Sequence, residues 1–215
     1  MSGPPQTKKD RSPGGRDVWH GAGAISGPPK TTMRVIAGEF KGRRLVTPRG
    51  HVTRPTADQV RLALMDALMP WLPGARVLDL YAGAGGVGLE ALSRGAAEAT
   101  FVERDARAVQ ALEANIAALG VGRRSRVVRQ DAGRALDALA KAGLRFTVIF
   151  MDPPYEEATD AVLDRVARAD LLAPGGIVIA QHRTKRPARD AFGALRVTRT
   201  RKFGETTLTF FRAEG

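Results

Sequence analysis

The chain contains no cysteine, which excludes disulfides, thiolate metal sites, iron–sulfur clusters and a cysteine nucleophile. Histidine is scarce: His20, His51 and His182 lie too far apart to suggest a local metal motif, so no metal site is expected. No uninterrupted apolar run is long enough to span a bilayer, and the first residues lack the apolar stretch of a signal peptide, so a cytoplasmic protein without a membrane partner is expected. Acidic residues are outnumbered. Lys and Arg total 34 against 22 Asp and Glu, a net charge of +12, more than solubility needs and suited to a polyanionic partner. The chemistry must therefore use an organic cofactor or oxygen-bearing side chains.

The 215 residues suit a single catalytic domain with small additions. Residues 1–32 are rich in Gly, Pro, Ser and Thr without apolar periodicity, and are expected to be a disordered basic extension carrying Lys8, Lys9, Arg11, Arg16 and Lys30. Residues 33–73 are expected to form a basic, phosphate-contacting appendage: a hairpin of Met33–Ile36 and Arg43–Val46, then a helix capped at Thr56, with Gln59 completing a capping box, that ends near Met69 before Pro70 and Pro73. From Arg76 onward, short apolar runs alternate with helical patterns, which predicts a parallel sheet covered by helices on both faces over residues 74–215. Residues 195–201 and 206–212 are too close together for a helical crossover and should pair as an antiparallel hairpin.

The first strand–helix turn, Asp79-Leu-Tyr81-Ala-Gly83-Ala-Gly85-Gly86-Val-Gly88, holds glycines that let the backbone turn sharply and approach a ligand. Glu103 ends the next strand, about twenty residues beyond the glycines, where a carboxylate can accept from ribose hydroxyls. Both features fit a nicotinamide dinucleotide as well as S-adenosylmethionine. At the end of the third strand, Asp131 with Ala132 suits either an adenine amino group or a helix cap.

The fourth strand ends in Asp152-Pro153-Pro154-Tyr155. An exocyclic nucleobase amine is a poor nucleophile because its lone pair is delocalised, so a site must localise that pair and aim it. The Asp152 carboxylate and the Pro153 carbonyl can each take one N–H, the paired prolines stiffen the loop, and Tyr155 offers a face on which a base can stack. This motif separates a nucleobase amino-methyltransferase from a dehydrogenase. Arg34, Lys41, Arg43, Arg44, Arg54 and Arg61, against only Glu39 and Asp58, are candidate phosphate contacts. Arg183, Lys185 and Arg186 follow the fifth strand and could extend that surface.

At these residues the sequence resembles the RsmD-type methyltransferases of 16S ribosomal RNA. The likeness runs from Met33 to Arg212 and rests on MRVIAGEFKGRRL at 33–45, RPTADQVR at 54–61, VLDLYAGAGGVGLEALSRGA at 77–96, FVERD at 101–105 and MDPPY at 151–155. It implies an α/β, Rossmann-like class I methyltransferase fold with a seven-stranded, mostly parallel sheet whose last strand is antiparallel, preceded by the small hairpin and helix. It further implies transfer from S-adenosylmethionine to a guanine N2 amine in the assembling small ribosomal subunit, by a monomer. Asp79, Tyr81, Gly83 and Gly85 would line the methionine end of the cofactor, Glu103 its ribose, and Asp131 with Ala132 its adenine. Thr56 belongs to a segment, Arg54 to Thr56, that would close over it, and Asp152 to Tyr155 would hold the guanine. The other readings are an adenine-N6 DNA methyltransferase and a non-catalytic RNA-binding assembly factor.

Overall fold

A computed structural model describes residues 33–48, 55–154 and 157–214. The expected extension over 1–32, with Arg54 and Tyr155, lies outside the described residues. The elements in chain order are β1 (Met33–Arg34), β2 (Arg44–Leu45), α1 (Pro55–Leu68), β3 (Arg76–Leu80), α2 (Gly86–Ser93), β4 (Glu98–Val102), α3 (Ala106–Leu119), β5 (Ser125–Val128), α4 (Ala132–Lys141), β6 (Phe146–Met151), α5 (Thr159–Ala169), β7 (Leu172–Arg183), β8 (Ala191–Phe192), β9 (Leu195–Phe203) and β10 (Thr206–Ala213). Among the described residues, no helix is long and apolar enough to cross a membrane.

The main sheet runs β5-β4-β3-β6-β7-β10-β9-β8. Strands β3 to β7 are mutually parallel, and β10 inserts antiparallel between β7 and β9. This is the expected seven-stranded sheet, widened by the two-residue β8. The chain winds outward from β3 to β5 and then returns to lay β6 beside β3, so the order reverses between β3 and β6. At such a reversal the flanking helices diverge and leave a crevice at the carboxyl ends of the strands.

The apolar runs are explained by burial on both faces. In β6, Val148 and Phe150 pack with Val77, Phe101, Ile179 and Phe210 beneath α2 and α3, while Ile149 and Met151 pack with Leu78, Val178 and Phe211 beneath α4 and α5. The β1–β2 hairpin and α1 belong to the first of these cores: Val35, Leu45 and Leu64 are each 1% exposed. Helix α1 begins at Pro55, so Thr56 falls in its first turn and not at its cap. The fixed φ of proline suits the first helical position, where its missing N–H has no partner to lose.

The hairpin is fastened by buried polar groups. The Glu90 carboxylate, 1% exposed, accepts from the Ile36 N–H at 2.7 Å and the Ala37 N–H at 2.9 Å, and also from Arg94. Asn115, equally buried, accepts from the Val46 N–H and donates to the carbonyls of Val46 and Ala84. One side chain thus ties the hairpin to the glycine turn.

Candidate active site at the β3–β6 crevice

Tyr81, directly after β3, has φ of 65°. A non-glycine residue in the left-handed region is strained, and such strain gathers where a site dictates the backbone. Its hydroxyl is buried beside Glu157, and burial, then that carboxylate, push its ionisation well upward. The turn that follows needs glycine twice over. Gly85 precedes α2 with φ of 87°, and a Cβ on Gly88 would stand 2.3 Å from Cε1 of the buried Phe101.

Two carboxylates shape the turn. Asp79, 1% exposed, accepts the Gly88 N–H at 2.9 Å through Oδ2, pinning the start of α2 over β3. Glu103 accepts the Gly83 N–H at 2.9 Å through one oxygen and the Arg104 and Asp105 N–H groups, each at 2.8 Å, through the other. Each carboxylate oxygen has two lone pairs, so Glu103 retains capacity for further donors. Burial pushes the Asp79 carboxyl up to about 7; the Gly88 N–H opposes this, while the neighbouring Asp152 and Glu103 charges add to it. Three acidic groups therefore converge on one crevice of a basic chain, a setting that favours a cationic ligand.

Asp131 is the N-cap of α4, its Oδ1 accepting the Gly133 N–H at 3.0 Å, and Ala132 is the buried first residue of that helix. Of the two readings open for Asp131, the cap is present; its second oxygen is not needed for that role.

The register Met151↔Ala180 places Asp152 beside Gln181, and Gln181 Nε2 donates to Asp152 Oδ2 at 2.9 Å. Enclosure by the crevice pushes the Asp152 carboxyl up to about 7, against the downward pull of that amide. The residue still meets water at the crevice mouth. The shift is therefore fullest once a bound group excludes that water. Pro153 is buried, and the Pro154 carbonyl accepts the Glu157 N–H at 2.9 Å, folding the loop back toward α5. Neither Gln181 nor the hairpin fasteners Glu90 and Asn115 was singled out from the sequence. A polar residue ending the strand next to Asp152 was the one available signal for Gln181.

The basic residues are brought together only in part: the β1–β2 pairing sets the exposed Arg34 opposite the exposed Arg44. Arg61, expected on the nucleic-acid surface, is 7% exposed; its guanidinium donates to the Arg34 carbonyl at 2.7 Å and pairs with Asp58 at 3.1 Å. It braces the hairpin against α1 and is withdrawn from the set of phosphate contacts. Arg34, Lys41, Arg43 and Arg44 are exposed. The hairpin turn, however, packs on Ser93, the last residue of α2, and Arg43 donates to the Ala118 carbonyl near the end of α3. Those helices run back from the crevice, so Lys41 and Arg43 lie toward the amino ends of the strands, away from Asp152.

The strand order, the glycine turn held by Asp79 and Glu103, and the acidic loop closing β6 define a Rossmann-like fold of the methyltransferase class. The chain belongs to the RsmD family, described as conserved hypothetical protein 95, whose profile matches residues 33–212. A Bacillus subtilis relative, YlbH, named for rRNA methylation, is 39% identical over 184 residues, which is 85% of this chain and 100% of that protein. Ribosomal RNA small subunit methyltransferase D of Escherichia coli is 42% identical over 123 residues, 57% of this chain and 60% of its own length. Among solved structures, the Escherichia coli methyltransferase yhhF superposes with a TM-score of 0.76 at 32% identity, covering 85% of this chain and 98% of that one. A structure named as the methyltransferase SMU.776 complexed with SAH shares the fold alone, with a TM-score of 0.61 at 15% identity over 74% of this chain and 50% of that one.

Proposed function

We propose that this protein transfers a methyl group from S-adenosylmethionine to the exocyclic N2 amine of a guanine in 16S ribosomal RNA of the assembling small subunit. The observation that carries this reading is the pair Asp152 and Gln181 at the open end of β6, set beside the acidic turn of Asp79 and Glu103. The family supports it, as do relatives named for ribosomal RNA methylation.

The residues present fit the cofactor. Asp79, held toward its neutral form where no cation faces it, would be satisfied by the positive charge of the methionine end, Glu103 by the ribose hydroxyls, and the glycine turn by close approach of its backbone. The cofactor supplies an already activated methyl group on a sulfonium centre. The chain's own task is to hold the amine. In its ionised form Asp152 would accept one N–H of the amine and the Pro153 carbonyl the second, turning the lone pair out of conjugation toward the methyl group. Gln181 fixes the rotamer of Asp152 and favours its charge. The proton leaves an amine acidified by transfer, so Asp152 or water suffices as acceptor. Tyr155 supplies a stacking face in this account, and the Arg54–Thr56 segment a cover for the cofactor.

Incubation of labelled S-adenosylmethionine with small subunits from cells lacking the gene, followed by nucleoside analysis, should yield labelled N2-methylguanosine. Label in N6-methyladenosine, or in duplex DNA alone, would replace this reading with the DNA-directed one.

A further inference from the structure

The hairpin turn with Lys41 and Arg43 lies away from Asp152, and a second group of basic side chains stands on the β7 side of the crevice. Beyond β7 the exposed Arg183, Lys185 and Arg186 and the exposed Lys202 at the end of β9 stand at the crevice edge. Between them a polar pocket of about 220 Å³ opens, lined by His182, Thr184, Asp190, Thr200, Lys202 and Thr209 among others. The pairings His182↔Thr207↔Lys202 and Ala180↔Thr209↔Thr200 put its floor on the α4–α5 face of the sheet. Gln181, which holds Asp152, points to the opposite face. The pocket and the crevice thus lie on opposite faces of the sheet at the end of β7.

The hydrogen bonds of the floor fix what it offers. His182 Nδ1 lies 3.0 Å from the Arg183 carbonyl, which can only accept, so in the neutral ring Nδ1 donates and Nε2 accepts from the Thr209 hydroxyl at 2.8 Å. The Thr184 hydroxyl donates to the Gly204 carbonyl at 2.9 Å, so in its 2.8 Å contact with Thr207 the donor is Thr207. With these hydroxyl hydrogens engaged, the floor presents oxygen lone pairs, and Asp190 adds a carboxylate. Such a lining suits ring amino groups and ribose hydroxyls; Lys202 is its one cation, and the Asp190 carboxylate opposes an isolated phosphate there. The other cations, Arg183, Lys185 and Arg186, lie outside the lining, where a sugar–phosphate backbone would pass.

On the reading that the crevice holds a target base, we infer that this pocket takes an unpaired ribonucleoside flanking that base, its backbone crossing the end of β7 against Lys185 and Lys202. The strand is single because a paired base could not enter a pocket of this kind, and RNA is favoured because the acceptor-rich floor rewards the 2′-hydroxyl.

The test is fluorescence anisotropy of the full chain with a labelled single-stranded oligoribonucleotide of about nine residues. Thr200 is exposed on β9, so Thr200→Trp fills the pocket from outside. It should weaken binding about tenfold or more while leaving S-adenosylmethionine affinity unchanged. Lys202→Glu should weaken binding and flatten its salt dependence by about one phosphate contact. Duplex RNA and the matching oligodeoxynucleotide should bind with less sensitivity to Thr200→Trp, and inorganic phosphate should not compete. The proposal falls if wild type does not bind the single strand, if both variants bind as wild type does, or if phosphate competes. Binding sensitive to Thr200→Trp without formation of N2-methylguanosine would uphold the pocket and defeat the guanine reading. Methylation indifferent to Thr200→Trp would do the reverse.

Discussion

Gln181 Nε2 donates to Asp152 Oδ2 at 2.9 Å across the β6–β7 register, and this bond couples an acceptor to its own ionisation. The amide favours the charged carboxylate, so its removal raises the carboxyl further. Methyl transfer should need that charge, and kcat, which reports the loaded site, should rise with pH through about 7. In Gln181→Ala the rising limb should move to higher pH, with activity at pH 7 falling more than activity at pH 9. A uniform loss across pH would reduce Gln181 to a structural role.

Asp79 is a second pH-sensitive group, with the opposite consequence for stability. Its carboxyl in the folded protein is raised from 3.8 to about 7, so the native state keeps a proton that the unfolded chain has released. Its stabilising contribution is present below the lower value and is lost as pH rises toward the higher one. Thermal melts without cofactor should show declining stability over that window. Asp79→Asn retains an acceptor for the Gly88 N–H, so it should flatten the decline while weakening S-adenosylmethionine binding about tenfold or more, as expected for loss of a buried charge partner. Calorimetry that finds unchanged cofactor affinity would remove Asp79 from the binding site.

Glu90→Ala should detach the hairpin's best fastening. It leaves the part-buried Ile36 and Ala37 N–H groups without their acceptor and takes from Arg94 one of its two carboxylate partners, Asp66 remaining, a loss of about 2 kcal/mol or more in urea unfolding, since each orphaned buried donor costs about 1–3 kcal/mol. Loss well under 1 kcal/mol would show that water replaces the carboxylate readily.

Gly88→Ala should destabilise by about 1–3 kcal/mol through overpacking against Phe101, whose ring is fully buried and cannot retreat. Unfolding transitions of the two proteins compare directly. An unchanged midpoint would mean that the helix start shifts freely.

Much of this architecture was legible because parallel strands covered on both faces write themselves as apolar runs; FTVIFM ends where the crevice must lie, and Asp152 follows it. Asp79, Gly83 and Glu103 were readable for the same reason, each being fixed by its distance from a strand end. What escaped depends on register or on packing between distant segments. Gln181 gains meaning only when β7 is laid beside β6. Glu90 and Asn115 look like ordinary polar helical residues until the hairpin covers them. Arg61 looked like a phosphate ligand because its charge is visible in sequence and its burial is not. The hairpin's basic composition was plain, whereas its direction across α2 and α3, which carries Lys41 away from the crevice, was not.

The most direct measurement is the nucleoside analysis of methyl-deficient small subunits after reaction with labelled S-adenosylmethionine, run side by side with wild type and Asp152→Ala. The account predicts labelled N2-methylguanosine with wild type, and none with an Asp152→Ala protein that still binds the cofactor. Full labelling by Asp152→Ala, or label on any other nucleoside, would contradict it.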